Sequence, residues 1–194
     1  MNYKHSNVKG PMVAAVILLL VVASLSSTAR ADESTANTET LERGRYLVTV
    51  AGCNDCHTPL TNGPNGPEPD MSRMLSGHPA SLVMPQAPAL PDGPWTVVVA
   101  GTSTAWSGPW GVSFTANLTP DPETGLGKWS FKNFKDTIRT GRHLGRGRPI
   151  LPPMPIPMYK HFTDADLEAI FTYLKSIPAI ENEVPDPIAP APAL

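Results

Sequence analysis

The chain has 194 residues, enough for one domain with a real hydrophobic core. Its 15 Lys and Arg are balanced by 17 Asp and Glu, a formal charge of −2. That balance excludes non-specific nucleic-acid binding, which needs clustered cations along the phosphate backbone.

Residues 1–31 have the layout of a secretory signal. Lys4 and Lys9 form a basic start, Met12 to Leu25 is an apolar run broken only by Ser24, and Ala29-Arg30-Ala31 is a small-x-small cleavage site. An apolar run of 14 residues falls short of the roughly 18–20 that span a bilayer. The expectation is therefore cleavage and release into the periplasm; an uncleaved anchor facing the periplasm is the alternative, and the only route to the membrane. This segment holds three of the basic residues and no acid, so residues 32–194 carry a formal charge of −5. Residues 32–40 are small and polar and are expected to be flexible.

Leu41, Gly44, Leu47, Val48 and Ala51 recur at near-helical spacing and predict a helix. Glycine inside a helix costs about 1 kcal/mol relative to alanine, and a second helix crossing closely at Gly44 would explain it. The helix runs into Cys53-Asn54-Asp55-Cys56-His57, a C-x-x-C-H run that reads as a c-type haem attachment site. Each sulfur would form a thioether with one porphyrin vinyl, and the adjacent imidazole would ligate the iron. C-x-x-C also occurs as a zinc half-site or a redox dithiol. Zinc needs about four ligands, no other cysteine exists, and His5, His78, His143 and His161 show no paired spacing. A disulfide is the usual use of cysteine after export; thioether use accounts better for two cysteines three apart.

Residues 58–94 are rich in Pro and Gly and read as loop. Trp95 to Ala100 and Val112 to Leu118 are β-prone runs separated by a Gly/Pro/Ser-rich turn, predicting a short hairpin. Ser130 is a plausible N-cap for a helix carrying Phe131, Phe134 and Ile138, with Gly141 at its C-terminal end. Arg139, Arg142, His143, Arg146 and Arg148 form the one basic cluster, read as a solvated loop or, more sharply, a docking patch or a counter-charge for haem propionates.

Among the methionines, Met154 stands out because four prolines constrain Leu151-Pro152-Pro153-Met154-Pro155-Ile156-Pro157. A loop already shaped for the sulfur loses less entropy when a weak iron–thioether bond forms. Met154 is the candidate sixth ligand; Met158 competes, and His78, His143 or His161 would give a bis-histidine site. Thr163 to Asp166 resembles a capping box, and Leu167, Ile170, Phe171, Leu174 and Ile177 form one apolar face up to Pro178. Residues 182–194 are a proline-rich tail, expected to be extended and mobile.

Taken together, residues 41–184 resemble class I cytochrome c, the bacterial periplasmic monohaem type found as cytochrome subunits of dehydrogenases. The resemblance rests on Gly44-Arg45-Tyr46-Leu47 before the haem run, Asn117-Leu118-Thr119-Pro120-Asp121 with Thr124-Gly125-Leu126-Gly127 and Trp129, Pro153-Met154-Pro155, and Thr163 to Leu167 with Tyr173-Leu174-Lys175-Ser176. It implies a mainly α, cytochrome c-like fold around a covalent haem, here with a short β-hairpin insertion and long Pro-rich loops, over a domain at 41–181. It also implies that the first and last helices cross at Gly44 and the Phe171/Leu174 face. Met154, nine residues before Thr163, takes the position of the iron-ligating methionine. Trp129 matches a tryptophan that donates to a haem propionate, and Pro64 or Pro67 would offer the carbonyl that receives the His57 Nδ1–H. The spacing of 97 residues between His57 and Met154 exceeds that of the short carriers.

The expected function is electron transfer through one haem c, bound by Cys53 and Cys56, with His57 and Met154 on the iron. The protein would be a periplasmic carrier or the haem subunit of a dehydrogenase, its partner a dehydrogenase or a terminal oxidase chain, and not itself an enzyme. A haem enzyme or gas sensor with an open sixth position is the alternative. No Ser/His/Asp constellation, phosphate loop or convincing carboxylate pair is present in the sequence.

Overall fold

Three amphipathic helices and a set of anchored loops position the haem-type motif. The computed structural model describes residues 35–89 and 93–190. The candidate signal at 1–31, residues 32–34 and the last four residues of the tail lie outside the described residues. The chain divides into two compact units, Met1–Glu39 and Thr40–Leu194, and apart from the helical residues 35–39 everything that follows concerns the second.

Helix α1 is helical through 50 and already helical at residue 35, inside the stretch expected to be flexible. Its inward residues Leu47 and Val48 are buried. Helix α2 is the motif itself, Cys53–His57. Helix α3, Phe131–Thr140, begins in a capping box between Ser130 and Asn133 and ends at Gly141 in the left-handed region (φ 68°), the limits its sequence predicts. A four-residue turn, α4 (Ile156–Tyr159), follows the proline loop. Helix α5, Asp164–Ser176, is capped by Thr163, whose side chain accepts from Asp166 N. Its Leu167, Ile170 and Leu174 join Leu75, Leu126, Phe134 and Ile138 in one core, and Phe171 lies against Phe131 and Phe134.

Gly44 sits where α1 crosses α5. A Cβ there would stand 2.0 Å from the Ala169 carbonyl oxygen and 2.7 Å from Tyr173 Cβ. The crossing expected at Gly44 is present, but α5 meets it with Ala169 and Tyr173 rather than Phe171 and Leu174. Arg43 and Asp166 pair at 2.8 Å between the same two helices, and Arg139 and Lys135 of α3 both reach Asp164.

The β structure departs from the expected hairpin. Strand β3 (Val98–Val99) pairs with β4 (Ala105–Gly108), which pairs with β5 (Gly111–Phe114), all antiparallel. The two runs expected to face each other therefore flank a third strand, which lies in the stretch read as turn. Pro109 and Trp110 make the actual two-residue turn, with Gly108 opposite Gly111. A second hairpin, β1 (Leu60–Gly63) with β2 (Gly66–Pro69), folds out of the region read as loop. The Gly-Pro-Glu-Pro sequence of β2 is exposed throughout and gives no strand signal.

After α5 the chain is extended, as its prolines predict, but it is anchored rather than loose. Asn182 is only 4% exposed. Val112 and Ile188 exchange backbone hydrogen bonds of 2.8 and 2.9 Å, placing the tail along the outer edge of β5. Among the described residues no helix is long and apolar enough to cross a membrane.

Gly44→Ala is expected to lower stability by about 1–3 kcal/mol through overpacking against a backbone carbonyl. At about 2–4 °C per kcal/mol for a chain of this size, thermal melting reads the loss directly. An unchanged melting temperature would contradict the close crossing.

Candidate haem site

The motif is held from both sides. Helix α1 closes with Ala51 N donating to Leu47 O, and Gly52, left-handed at φ 71°, turns the chain into α2. Tyr159 of α4 donates its hydroxyl to the Ala51 carbonyl. At the other end, Thr58 is fully buried; its hydroxyl donates to Asn54 Oδ1 at 3.0 Å and accepts from Leu75 N at 2.9 Å. Ser103 donates to the Asp55 carbonyl at 3.0 Å. A five-residue helix has almost no stability of its own, so these tertiary bonds fix the orientation of its side chains.

His57 is buried, and its Nδ1 lies 2.7 Å from the Ala116 carbonyl oxygen. A carbonyl only accepts, so Nδ1 carries the proton. Burial lowers the imidazole pKa against the opposing pull of that hydrogen bond, which keeps the ring neutral. The remaining nitrogen, Nε2, makes no hydrogen bond among the described residues and offers a lone pair, the form that binds metal. Pro64 and Pro67, expected to supply the carbonyl, are instead exposed in the β1–β2 hairpin. Ala116 takes that role because β5 carries the chain past the motif.

Cys53 and Cys56 are free thiols. Burial pushes Cys53 up to about 11 and raises Cys56 as well. A redox-active dithiol has nearby cations that lower its thiol pKa, and no cationic side chain acts on either sulfur among the described residues. Among the described residues no three His, Cys, Asp or Glu side chains converge to hold a metal ion.

Met154 is half-buried and packs against the core, as Cys53 and Trp129 each do. Its loop is fastened by Ser113 Oγ donating to Pro152 O at 2.5 Å, by Ile150 N donating to Gly141 O at 2.8 Å, and by Ile156 N donating to Met154 O at 2.9 Å. Met158, by contrast, is 73% exposed. Both ring nitrogens of buried His78 are engaged, with Thr104 Oγ1 at 2.9 Å and Leu82 O at 3.0 Å. His161 is exposed, and His143 stands edge-on to Trp129 at 5.2 Å between centroids. The Trp129 indole N–H has no partner among the described residues. In the basic cluster, Arg139 is bound to Asp164 and to the Lys160 carbonyl, while Arg142, Arg146 and Arg148 are exposed and have no acidic partner among the described residues.

Two thiols spaced one turn apart, a neutral imidazole with one nitrogen reserved and a thioether on the same core form a donor set that fits a c-type haem. No protein-family model matches the chain. Over 157 residues it is 29% identical to the gluconate 2-dehydrogenase cytochrome c subunit of Pantoea cypripedii, an alignment covering 81% of this chain and 27% of that protein. It is 26% identical over 181 residues to the fructose dehydrogenase cytochrome subunit of Gluconobacter japonicus, covering 92% and 29%. It is 32% identical over 146 residues to one of the subunits of nicotinate dehydrogenase from Pseudomonas putida, covering 75% and 9%. The chain is thus similar to cytochrome subunits of dehydrogenases. It spans less than a third of each of these relatives.

Ser113→Ala removes the side-chain bond from β5 to the proline loop. The expected cost is about 1 kcal/mol, read as a lower urea midpoint with an unchanged slope; a midpoint equal to wild type would show that β5 does not brace the loop.

Proposed function

We propose that this chain is an electron-transfer protein carrying one covalent haem c, bound through Cys53 and Cys56 with His57 and Met154 as iron ligands. The observation that carries the reading is the His57 Nδ1–Ala116 carbonyl bond within a C-x-x-C-H helix, which leaves Nε2 as a buried lone pair. Bound there, the haem supplies one-electron exchange between ferric and ferrous iron.

The residues divide the work. Cys53 and Cys56 would keep the cofactor attached, each S–H adding across a vinyl group with no leaving group. His57 and Met154 would hold the iron, so no substrate would need to reach the metal and no side chain would need to move a proton. The packed core beneath Cys53, Met154 and Trp129 excludes water, which limits reorganisation on electron transfer and, with methionine ligation, favours a high potential. The free indole N–H of Trp129 would be available to a propionate. His78, with both nitrogens occupied, and Met158, facing solvent, fit the sixth position less well than Met154.

The donor would be a dehydrogenase. Similarity to subunits of gluconate and fructose dehydrogenases supports a haem subunit of such a complex over a free carrier, and a terminal oxidase chain would take the electrons onward. Export to the periplasm, with cleavage before Asp32, places the protein where such complexes work; an uncleaved anchor would keep it on the membrane.

Mass spectrometry of the exported protein is expected to show the mass of one haem on a chain that starts near Asp32. Loss of all colour from the polypeptide on denaturing extraction would overturn the covalent reading. Met154→Ala is expected to convert the low-spin spectrum to high-spin and lower the potential, with Met158→Ala unchanged; the opposite pattern would assign the thioether to Met158.

A further inference from the structure

The proline-rich tail carries one polar side chain that is almost completely buried, and every hydrogen-bonding position on it is used. Asn182 Nδ2 donates to the carbonyls of Ser76 (2.7 Å) and His78 (2.8 Å). Its Oδ1 accepts from Ala80 N (2.9 Å) and from Arg73 Nη2 (3.0 Å). An amide has two donors and two acceptor lone pairs, so this set is complete. Its backbone N–H is also used, donating to Thr124 Oγ1 at 2.9 Å.

The segment that Asn182 grips is the one that brackets His57. Gly77 N donates to His57 O at 2.8 Å, and His78 N donates to Thr115 O at 2.9 Å. Thr115 precedes Ala116, whose carbonyl receives the His57 Nδ1–H. The packing leaves no slack, since a Cβ on Gly77 would lie 2.4 Å from Thr115 O and 2.6 Å from Ala116 O. The tail holds the far side as well. Ile180 O accepts from Asn117 Nδ2 at 2.8 Å, and Ile180 N donates to Thr119 Oγ1 at 3.1 Å. Residues 180–182 therefore pin both 76–80 and 117–119, the two stretches on either side of the Ala116 carbonyl.

We propose that Asn182 is a positioning residue for the proximal imidazole: through Ser76 and His78 it fixes the Ala116 carbonyl and so sets the hydrogen bond at His57 Nδ1. This rests on the reading that His57 ligates the iron. A firm Nδ1–H···O bond makes the imidazole a stronger donor, and outer partners of this kind tune the metal they do not touch. Stronger donation favours ferric iron, so a loosened bond raises the reduction potential.

The test uses the full holo chain and two measurements, the midpoint potential and the exchange rate of the His57 Nδ1 proton by NMR. Asn182→Ala is expected to raise the ferrous-to-ferric ratio several-fold at a fixed poise, where tenfold corresponds to about 59 mV for one electron. It is also expected to speed Nδ1 proton exchange at least about tenfold. Asn182→Ser, which keeps one polar atom, should move both readings the same way by less and serves if the alanine variant does not fold. Ile188→Pro breaks the pairing with Val112 and leaves Asn182 in place, so it should lower stability without moving either reading. A wild-type His57 ring without haem-induced shifts would overturn the ligation reading and this role together. A shifted ring with both readings unmoved in the Asn182 variants would overturn the positioning role alone, as would equal effects from Ile188→Pro.

Discussion

The bond from His57 Nδ1 to the Ala116 carbonyl is the constraint around which the rest of the structure is arranged. A buried imidazole that is neutral has one donor and one acceptor nitrogen, and leaving either unpaired costs about 1–3 kcal/mol. Committing the donor to a main-chain carbonyl decides which nitrogen remains free and in which direction it points. A backbone acceptor also cannot turn away as a side chain can, because it moves only with its segment of chain. Much of the loop structure serves to hold that segment still: Gly77 packed against it, Leu75 O accepting from Leu118 N at 2.9 Å, and the tail bound to residues on either side.

The inserted sheet belongs to the same arrangement rather than decorating it. Strand β5 leads directly into Thr115 and Ala116, so it delivers the acceptor for His57 Nδ1. Through Ser113 it also braces Pro152, two residues before Met154. One strand thus reaches both candidate axial ligands, although 97 residues of chain separate them. The long connection between His57 and Met154 is what supplies this strand. The short helix α4 works similarly, since Tyr159 returns to the Ala51 carbonyl at the mouth of the motif.

What the sequence made legible was local. The C-x-x-C-H spacing, the Ser130 and Thr163 caps, the αL glycine at 141 and the apolar face of α5 each depend on residues within a few positions of one another. Gly44 could be read as a close approach because a helix interior has few other uses for glycine. The site's remaining parts were hidden for three physical reasons. The acceptor for His57 is a backbone carbonyl, and every residue has one, so Ala116 carries no mark of its identity, and Pro64 and Pro67 lie instead in an exposed hairpin. Strand β4 hides among Ser, Gly and Pro because its stability comes from pairing on both sides rather than from β-branched content. Asn182 sits in a tail whose prolines do specify extended backbone, but extension does not imply freedom, and its partners lie about a hundred positions away in the chain.

A three-stranded sheet has two borders, and each exposes unpaired N–H and C=O groups on which another polypeptide can build. Here β3 contributes a border only two residues long, and Ile188 occupies the other by bonding to Val112 in both directions. The same proline-rich ending that steadies the site therefore also blunts a template for self-association. Prolines at 185, 187 and 190 have no N–H to offer a further strand. An open border of this kind would be available to any neighbouring chain, and this one is already closed from within.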